Sequence, residues 1–242
     1  MTLLALAVFS IVGMALSLFG GGGAIILIPY LQAGLGMPVD QAALLSLVTI
    51  GINTGLQSVL DRHAIQWKAV TVFSLIAFPA TVLSGTYLAP IVPDPIRMIC
   101  FGVFTLSVAA LMFFPLKPRE GETQNIAGVC LSAAATGVLC GLVGVGGGIF
   151  IAPALCLFYR IPIKEAVKSS LAIVAVQSFT AMVAYIGRGV RVDLSFSLVM
   201  LLMVGLGVVG GRRLKGLIPE QRLKQLFGFF LVGIGCWVIL RP

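Results

Sequence analysis

Residues 19 to 30 read FGGGGAIILIPY, a run of four glycines followed by an apolar stretch that Pro29 interrupts. Residues 143 to 153 read VGVGGGIFIAP, which is nearly the same phrase 124 positions later. Both phrases lie in strongly hydrophobic parts of the chain, where consecutive glycines would break an ordinary helix. The sequence therefore raises the question of what a glycine run does in an apolar environment.

The composition is that of a membrane protein. Hydrophobic residues make up 59% of the 242 residues and charged residues 10%, whereas a soluble domain carries about 25% charged residues. The first charged residue is Asp40, and no basic region precedes the N-terminal apolar run as it would in a secretory signal. Further long apolar runs follow, so we predict an all-α polytopic membrane protein.

The apolar segments fall into two sets of five. The first set covers about 3–18, 24–35, 42–60, 69–89 and 96–115; the second covers about 126–143, 149–159, 169–186, 195–210 and 224–240. With an offset of 124, positions 20–47 match 144–171 at 10 of 28 positions without a gap. This layout indicates an internal duplication, with an N-terminal membrane repeat (1–116), a cytoplasmic linker (117–125) and a C-terminal membrane repeat (126–242).

One segment of each repeat is too short to cross a bilayer. A spanning helix needs about 20 residues, and segment 24–35 has 12. The first two segments of each repeat could form one broken crossing helix, or a V that enters and leaves on the same side. A V gives each repeat an odd number of crossings, so the second repeat would be inverted relative to the first.

Loop charges favour the V. With inverted repeats, 12 of the 16 basic residues collect on one face, as the positive-inside rule requires. These are Arg62, Lys68, Lys117, Arg119, Arg160, Lys164, Lys168, Arg212, Arg213, Lys215, Arg222 and Lys224. The other face keeps Arg97, Arg188, Arg191 and Arg241. One crossing helix per pair would split them 7 to 9, without bias. We therefore predict two inverted repeats of about five segments, with broken or re-entrant short helices at the glycine-rich turns.

Irregular backbone at membrane depth is tolerated where it is buried in protein or lines a wet cavity. Each glycine run opens onto a helix whose first N–H groups are unpaired and carry partial positive charge, which makes an anion site. The predicted contacts are Gly22, Gly23, Ala24 and Ile25 in the first repeat, and Gly146, Gly147, Gly148 and Ile149 in the second, both aimed toward the bilayer midplane. The alternative is that the glycines only allow close helix packing.

Polar residues follow each glycine run in the third segment. Ser46, Thr49, Asn53 and Gln57 are spaced by three or four residues and share a helix face, and Ser170 and Gln177 repeat the first and third positions. We include Ser46, Asn53, Ser170 and Gln177 in the predicted substrate site. The alternative is that these side chains only make hydrogen bonds between helices.

The sequence argues against several other functions. Charged residues such as Asp40, Glu165 and Lys168 lie at segment ends, so a buried carboxylate relay has no obvious candidate. The single histidine, His63, and scattered cysteines do not suit a metal site, and no hydrolase motif is present. The net charge of +8 is explained by basic loops rather than by nucleic acid. We predict no enzymatic activity, no cofactor, no metal and no nucleic-acid partner.

Two related phrases resemble a known family. GGGGAIILIPYL (20–31) and GVGGGIFIAPAL (144–155), in a chain of this length, are similar to the sulfite exporter TauE/SafE family. The resemblance implies a bacterial-type inner-membrane permease for sulfite, sulfonates such as sulfoacetate, or related organic anions. The first phrase has Ala24 where the second has Gly148, which indicates an asymmetric site.

These observations lead us to expect a multi-pass protein of the inner (plasma) membrane with both termini outside the cytoplasm. We expect a secondary transporter of a small sulfur-containing oxyanion, with the lipid bilayer and a small anionic substrate as partners and a possible homodimer. The alternatives are a passive anion channel and a non-transporting membrane partner protein.

Overall fold

The structure, a computed structural model, describes residues 3–19, 24–113, 124–144, 148–214 and 220–240. Within these ranges the chain forms helices joined by short connections, and no strand. The first repeat contains α1 (Leu3–Phe19), α2 (Ala24–Pro29), α3 (Val39–Leu60), α4 (Trp67–Leu83), α5 (Ala89–Ile91) and α6 (Asp94–Phe113). The second contains α7 (Ile126–Val143), α8 (Gly148–Ala154), α9 (Ile163–Gly187), α10 (Leu194–Leu214) and α11 (Glu220–Leu240).

Several helices are long enough to cross a bilayer. Among the described residues, five helices have the length and apolar composition of membrane spans. They are Val39–Leu60, Trp67–Ile91, Ile126–Val143, Ile163–Gly187 and Leu194–Leu214. Shorter apolar helices accompany them. The predicted all-α polytopic membrane protein is confirmed.

The duplicated phrase folds in the same way in both repeats. After Pro29 the helix continues as a π-helical turn, Tyr30–Gly34, and after Pro153 a π-helical turn covers Leu155–Tyr159. Proline removes a backbone donor and clashes with the preceding helical turn, and a wider π turn is a recognised way to relieve such a defect. The short second segments are therefore broken helices, as their length predicts.

The second repeat shows that its first two helices form a hairpin. The backbone N–H of Asn125, just before α7, donates to the carbonyl oxygen of Phe158, near the end of the π turn, at 2.9 Å. The chain thus leaves along α7 and returns along α8 to the level where it started. The V arrangement predicts this contact. A single continuous crossing helix would place Asn125 and Phe158 at opposite ends and exclude it.

Equivalent helices of the two repeats pack antiparallel. The Cβ position of Gly51 lies 3.1 Å from the Cβ of Ser178, and that of Gly55 lies 3.9 Å from the Cβ of Ala175. Numbers rise along α3 while they fall along α9, so the two helices run in opposite directions. Helices α6 and α11 behave likewise, because Gly102 contacts Ile239 and Gly235 contacts Leu106. Antiparallel pairing of equivalent helices is the signature of inverted repeats, and it confirms that part of the prediction.

The remaining helices exchange partners between repeats. Helix α1 packs on α10, and its counterpart α7 packs on α4, the counterpart of α10. Both contacts use small residues that allow close backbone approach. A Cβ at Gly207 would overlap the carbonyl oxygen of Ser10, and one at Gly137 would lie 2.6 Å from the carbonyl oxygen of Ala77. The α3–α9 pair lies at the centre of this arrangement and has two ends that differ in chemistry.

Candidate functional site: two ends of the α3–α9 pair

The first end holds a charge cluster made of Asp40, Asp94, Arg97, Tyr185 and Arg188. Arg97 lies in the first turn of α6 and its side chain is only 2% exposed. Its guanidinium pairs with Asp40 at 2.8 Å and with Asp94 at 3.0 Å. Arg188, from the end of α9, pairs with the other carboxylate oxygen of Asp40, also at 2.8 Å. The cluster therefore ties the starts of α3 and α6 to the end of α9.

Neutral groups complete the cluster. The Nε–H of Arg97 donates to the carbonyl oxygen of Leu142 at 2.8 Å, and an Nη–H donates to the Tyr185 hydroxyl oxygen at 3.0 Å. The Tyr185 hydroxyl in turn donates to the same Leu142 oxygen at 3.2 Å. A buried charge is tolerated when it is paired and its remaining hydrogen-bonding groups are satisfied. Arg97 meets both conditions, so its charge is accommodated in this buried position.

The second end holds a cavity of about 230 Å³. Its lining comes from four helices and the residue after α3: Ser17, Gln57, Asp61, Val167, Lys168, Leu171 and Arg212. Arg212 forms an ion pair with Asp61, and both side chains are about a third exposed. The cavity is large enough for a small oxyanion with several waters, since one water occupies about 30 Å³ of the liquid.

Hydrogen-bond donors dominate the cavity. Lys168 and Arg212 contribute two positive charges and Asp61 one negative charge, which leaves one net positive charge. Ser17 Oγ and Gln57 Nε2 are buried, and neither has a hydrogen-bond partner among the described residues. Leaving such a buried group unsatisfied costs about 1–3 kcal/mol, and a water molecule or a ligand that reached these donors from the cavity would remove that cost. The cavity suits an anion with several acceptor oxygens.

A polar face of α3 lies between the two ends. Ser46, Thr49, Asn53 and Gln57 are all buried there, as the spacing predicts. The amide of Asn53 donates to the carbonyl oxygen of Thr49 at 2.9 Å, and its Oδ1 faces Gly205 of α10. The polar face of α3 is therefore directed partly toward α10.

The polar residues of α9 have different neighbours. Ser170 donates to the carbonyl oxygen of Val167, one turn earlier. Gln177 donates to the Thr136 hydroxyl of α7 at 3.4 Å. The alternative that these residues make hydrogen bonds within and between helices is thus realised in the second repeat. The structure does not gather Ser46, Asn53, Ser170 and Gln177 around one point.

Comparison with known proteins assigns the sequence to a family. Residues 4–238 match the family model described as Sulfite exporter TauE/SafE. The chain belongs to the sulfite exporter TauE/SafE family. The match covers both repeats, both ends of the α3–α9 pair and the polar face between them, so the resemblance carried by the two glycine phrases is confirmed.

Curated relatives of this TauE/SafE member have transporter names. A probable membrane transporter protein of Xylella fastidiosa is 29% identical, with 96% of this chain and 92% of the relative covered. A protein with the same description from Methanocaldococcus jannaschii is 26% identical, covering 95% and 92%. YunE of Bacillus subtilis, also a probable membrane transporter protein, is 25% identical, covering 95% and 94%. No solved structure gives a significant match.

The glycine runs themselves are only partly described. Gly22, Gly23, Gly146 and Gly147 lie outside the described residues, so their predicted role stays a prediction. Helix α2 begins at Ala24 and α8 at Gly148, the residues that follow each run. Ile25, in the first turn of α2, is 2% exposed; Ile149 lies in the first turn of α8.

The residues that flank the two runs lie at opposite ends of α3. Gly144, with a left-handed φ of +82°, packs so closely on α3 that a Cβ there would be 2.5 Å from the Cβ of Ala43. Ser17, shortly before the first run, instead lines the cavity with Gln57. These two α3 positions are about 21 Å apart along the helix axis. One small anion therefore cannot contact both of these flanking positions at once, and whether the two turns themselves meet stays a prediction.

Sequence reasoning missed the groups that define the two ends. The sequence predicts Arg97 in a loop because two prolines precede Asp94–Arg97. The local sequence does not show that Asp40 and Tyr185 contact its side chain. The cavity residues Ser17, Lys168 and Arg212 come from three separate helices. The one usable signal was the polar face of α3, which contains Gln57.

Proposed function

We propose that this chain is a secondary transporter of a small sulfur-containing oxyanion such as sulfite or an organosulfonate. The observation that carries the proposal is the cavity with one net positive charge and two unpartnered buried donors, Ser17 Oγ and Gln57 Nε2. Family membership and the names of the relatives support transport across a membrane. The substrate class is inferred from the residues that line the cavity.

The chemistry of the cavity favours an oxyanion over a cation or an apolar solute. Lys168 supplies a point charge with three donors, and Arg212 supplies planar N–H groups already paired with Asp61. An incoming oxyanion can share Arg212 with Asp61 without displacing it. Ser17 precedes the first glycine run by three positions, so the backbone N–H groups of Gly22, Gly23, Ala24 and Ile25 are the proposed further donors.

Inverted repeats suit alternating access, in which one side of a site is open while the other is closed. We assign the cavity end as the open side and the charge cluster as the closed side. The cavity end carries Lys168 and Arg212 together with neighbouring basic residues such as Lys164 and Arg213. By the positive-inside rule this end faces the cytoplasm, which puts both termini outside.

Transport of sulfite by the purified chain in proteoliposomes tests the proposal. Internal unlabelled sulfite should raise the initial rate of uptake of radiolabelled sulfite, because a carrier reorients faster when loaded. A channel would instead show uptake set by the imposed membrane potential, with no such acceleration. No uptake above empty liposomes for sulfite, thiosulfate, sulfonates or carboxylates would favour the non-transporting partner protein.

A further inference from the structure

Serine and threonine hydroxyls in the helices of this protein usually donate a hydrogen bond to the backbone of their own helix. A serine or threonine in an apolar helix commonly donates to a carbonyl oxygen of the preceding turn. The side chains that do so at four residues' distance include Ser10, Thr54, Ser58, Thr71, Thr81, Thr105, Ser107, Thr136 and Thr180. Back-bonding is thus the normal state of a helical hydroxyl in this fold.

Ser17, Ser74 and Ser178 depart from this pattern singly on other helices, and α3 carries two such hydroxyls on one face. Ser46 Oγ and Thr49 Oγ1 are fully buried, yet within the described part of the chain neither has a hydrogen-bond partner. Thr54 and Ser58 lie on another face of the same helix and are both back-bonded, at 2.7 Å. The difference is therefore a property of the face and not of α3 as a whole.

The unpartnered groups form a line. Gln57 Nε2 is likewise buried without a partner among the described residues, and Asn53 lies between it and Thr49. Positions 46, 49, 53 and 57 are three or four residues apart, so successive polar groups are separated by about 5–6 Å along the helix. The whole line is about 16 Å long, more than half the thickness of the hydrocarbon layer.

The line extends between the residues that flank the two glycine runs. At one end Ser46 is one helical turn from Ala43, which packs on Gly144 beside the second run. At the other end Gln57 lines the cavity together with Ser17, beside the first run. The polar face is thus continuous with the cavity and leads away from it toward the charge cluster.

Helix α9, which is described in full, does not carry an equivalent line of polar side chains. The counterparts of Thr49 and Gln57 are Ile173 and Ala181. Gln177, the counterpart of Asn53, donates to Thr136, while its Oε1 and the neighbouring Ser178 Oγ have no partner among the described residues. Apolar residues thus interrupt the polar face of α9, whereas the polar face of α3 is uninterrupted.

We propose that the substrate crosses the protein along the polar face of α3, passing from Gln57 to Asn53, Thr49 and Ser46. This inference rests on the proposed function, since it assumes an oxyanion that accepts hydrogen bonds. The Ser46 and Thr49 hydroxyls and the Gln57 amide, which have no partner among the described residues, replace part of the hydration shell of the anion along the path. The translocation path is therefore asymmetric, and α9 supports it without lining it.

Cysteine accessibility tests the path. In a variant whose five native cysteines are replaced by alanine, single cysteines are placed at 46, 49, 53 and 57, and as controls at Leu47, Thr54 and Ser58. The probe is sulfonatoethyl methanethiosulfonate, a small anion whose sulfenyl sulfur is attacked by the cysteine thiolate, which forms a mixed disulfide and releases methanesulfinate. A thiolate forms in water and is suppressed in apolar surroundings, so the path positions should react about tenfold faster or more than the controls.

Protection by a sulfonate separates the path from the proposed substrate, because a sulfonate, unlike sulfite or thiosulfate, does not react with the probe. Fast labelling on the path face that a sulfonate slows would support both proposals. Fast labelling there without protection by sulfonates, together with no stabilisation of the protein by sulfite, would keep the path and overturn the proposed substrate class. Equal labelling of both faces, or labelling at 57 without any at 46 and 49, would overturn the path.

A matched pair of isosteric variants gives a second readout. Thr49→Val and Thr54→Val remove hydroxyls of the same kind from two faces of one helix. Loss of a hydrogen bond to a charged substrate should lower the initial rate of sulfite uptake about tenfold in Thr49→Val. Thr54→Val should transport as the unaltered protein does. Equal rates in the two variants would contradict the path.

Discussion

The two ends of the α3–α9 pair differ although the repeats that build them are equivalent. At one end Arg97 is sealed between two carboxylates, a tyrosine hydroxyl and a backbone carbonyl. At the other end Asp61 and Arg212 form a partly exposed pair beside an open cavity. Asp61 and Tyr185 occupy equivalent positions of the duplicated sequence. A symmetric backbone can thus carry a buried charge cluster at one end and a cavity at the other, because side chains diverge while helix packing is kept.

Breaking the closed end should have the largest effect. Asp40→Asn keeps the shape of the side chain but removes the charge that Arg97 and Arg188 share. Removing one partner of a buried charge pair costs about 3 kcal/mol or more, so we expect a clear fall in the melting temperature of the purified protein. A melting temperature equal to that of the unaltered chain would show that the cluster does not hold this end together.

Removing the charge at the open end should affect transport rather than folding. Lys168→Met takes away the lysine that lines the cavity, and a lost hydrogen bond to a charged group lowers transport about tenfold to a hundredfold. The melting temperature should change little. Lys164→Met, one turn earlier on α9, is the control and should leave the initial rate of sulfite uptake unchanged. An equal loss of uptake in Lys164→Met would show that transport does not depend specifically on the lysine in the cavity.

The helices that line the cavity are held by close glycine contacts, and these should be the next most sensitive. Gly207→Ala would press a methyl group onto the backbone of Ser10, an overpacking that costs about 2 kcal/mol. At Gly210, on the same helix, the nearest atom is the Cγ of Met14 at 4.0 Å. Gly210→Ala is therefore the control, and thermal unfolding should separate the two. Equal melting temperatures of the two variants would contradict the close packing of Gly207 in α10 on Ser10 in α1.

The smallest effect is expected for the ion pair at the open end. Asp61→Asn breaks a pair whose side chains are about a third exposed, and such pairs contribute less than about 1 kcal/mol. Its effect on the melting temperature should be well below that of Asp40→Asn and should shrink further in high salt. A fall in melting temperature as large as that of Asp40→Asn would show that the two ends do not differ in how much their ion pairs stabilise the protein.

Much of the fold follows from the sequence because it rests on local features. The apolar lengths, the prolines after each glycine run and the repeat offset indicate the broken hairpins and the inversion. Segment ends were less accurate. Helix α9 begins at Ile163, six residues before its apolar stretch, because charged residues such as Lys164 and Glu165 can continue a helix beyond the hydrocarbon layer.

The sites were harder to predict because they depend on which segments meet. The polar face of α3 is visible in the spacing of Ser46, Thr49, Asn53 and Gln57. The burial of Arg97 is not, since its partners lie 57 and 88 positions away in the chain. The positions of the residues that flank the glycine runs are also not visible in the sequence. Antiparallel packing of α3 and α9 places equivalent flanking residues at opposite ends of the pair.

Ligand-induced stabilisation gives the most direct test of the claim that the cavity end binds an oxyanion. Sulfite at a hundred times its dissociation constant should stabilise the protein by about 2.7 kcal/mol, seen as a rise in melting temperature. We predict that this rise is retained in Lys164→Met and largely lost in Lys168→Met. An undiminished rise in Lys168→Met, or no rise with sulfite, thiosulfate or any sulfonate, would contradict the account.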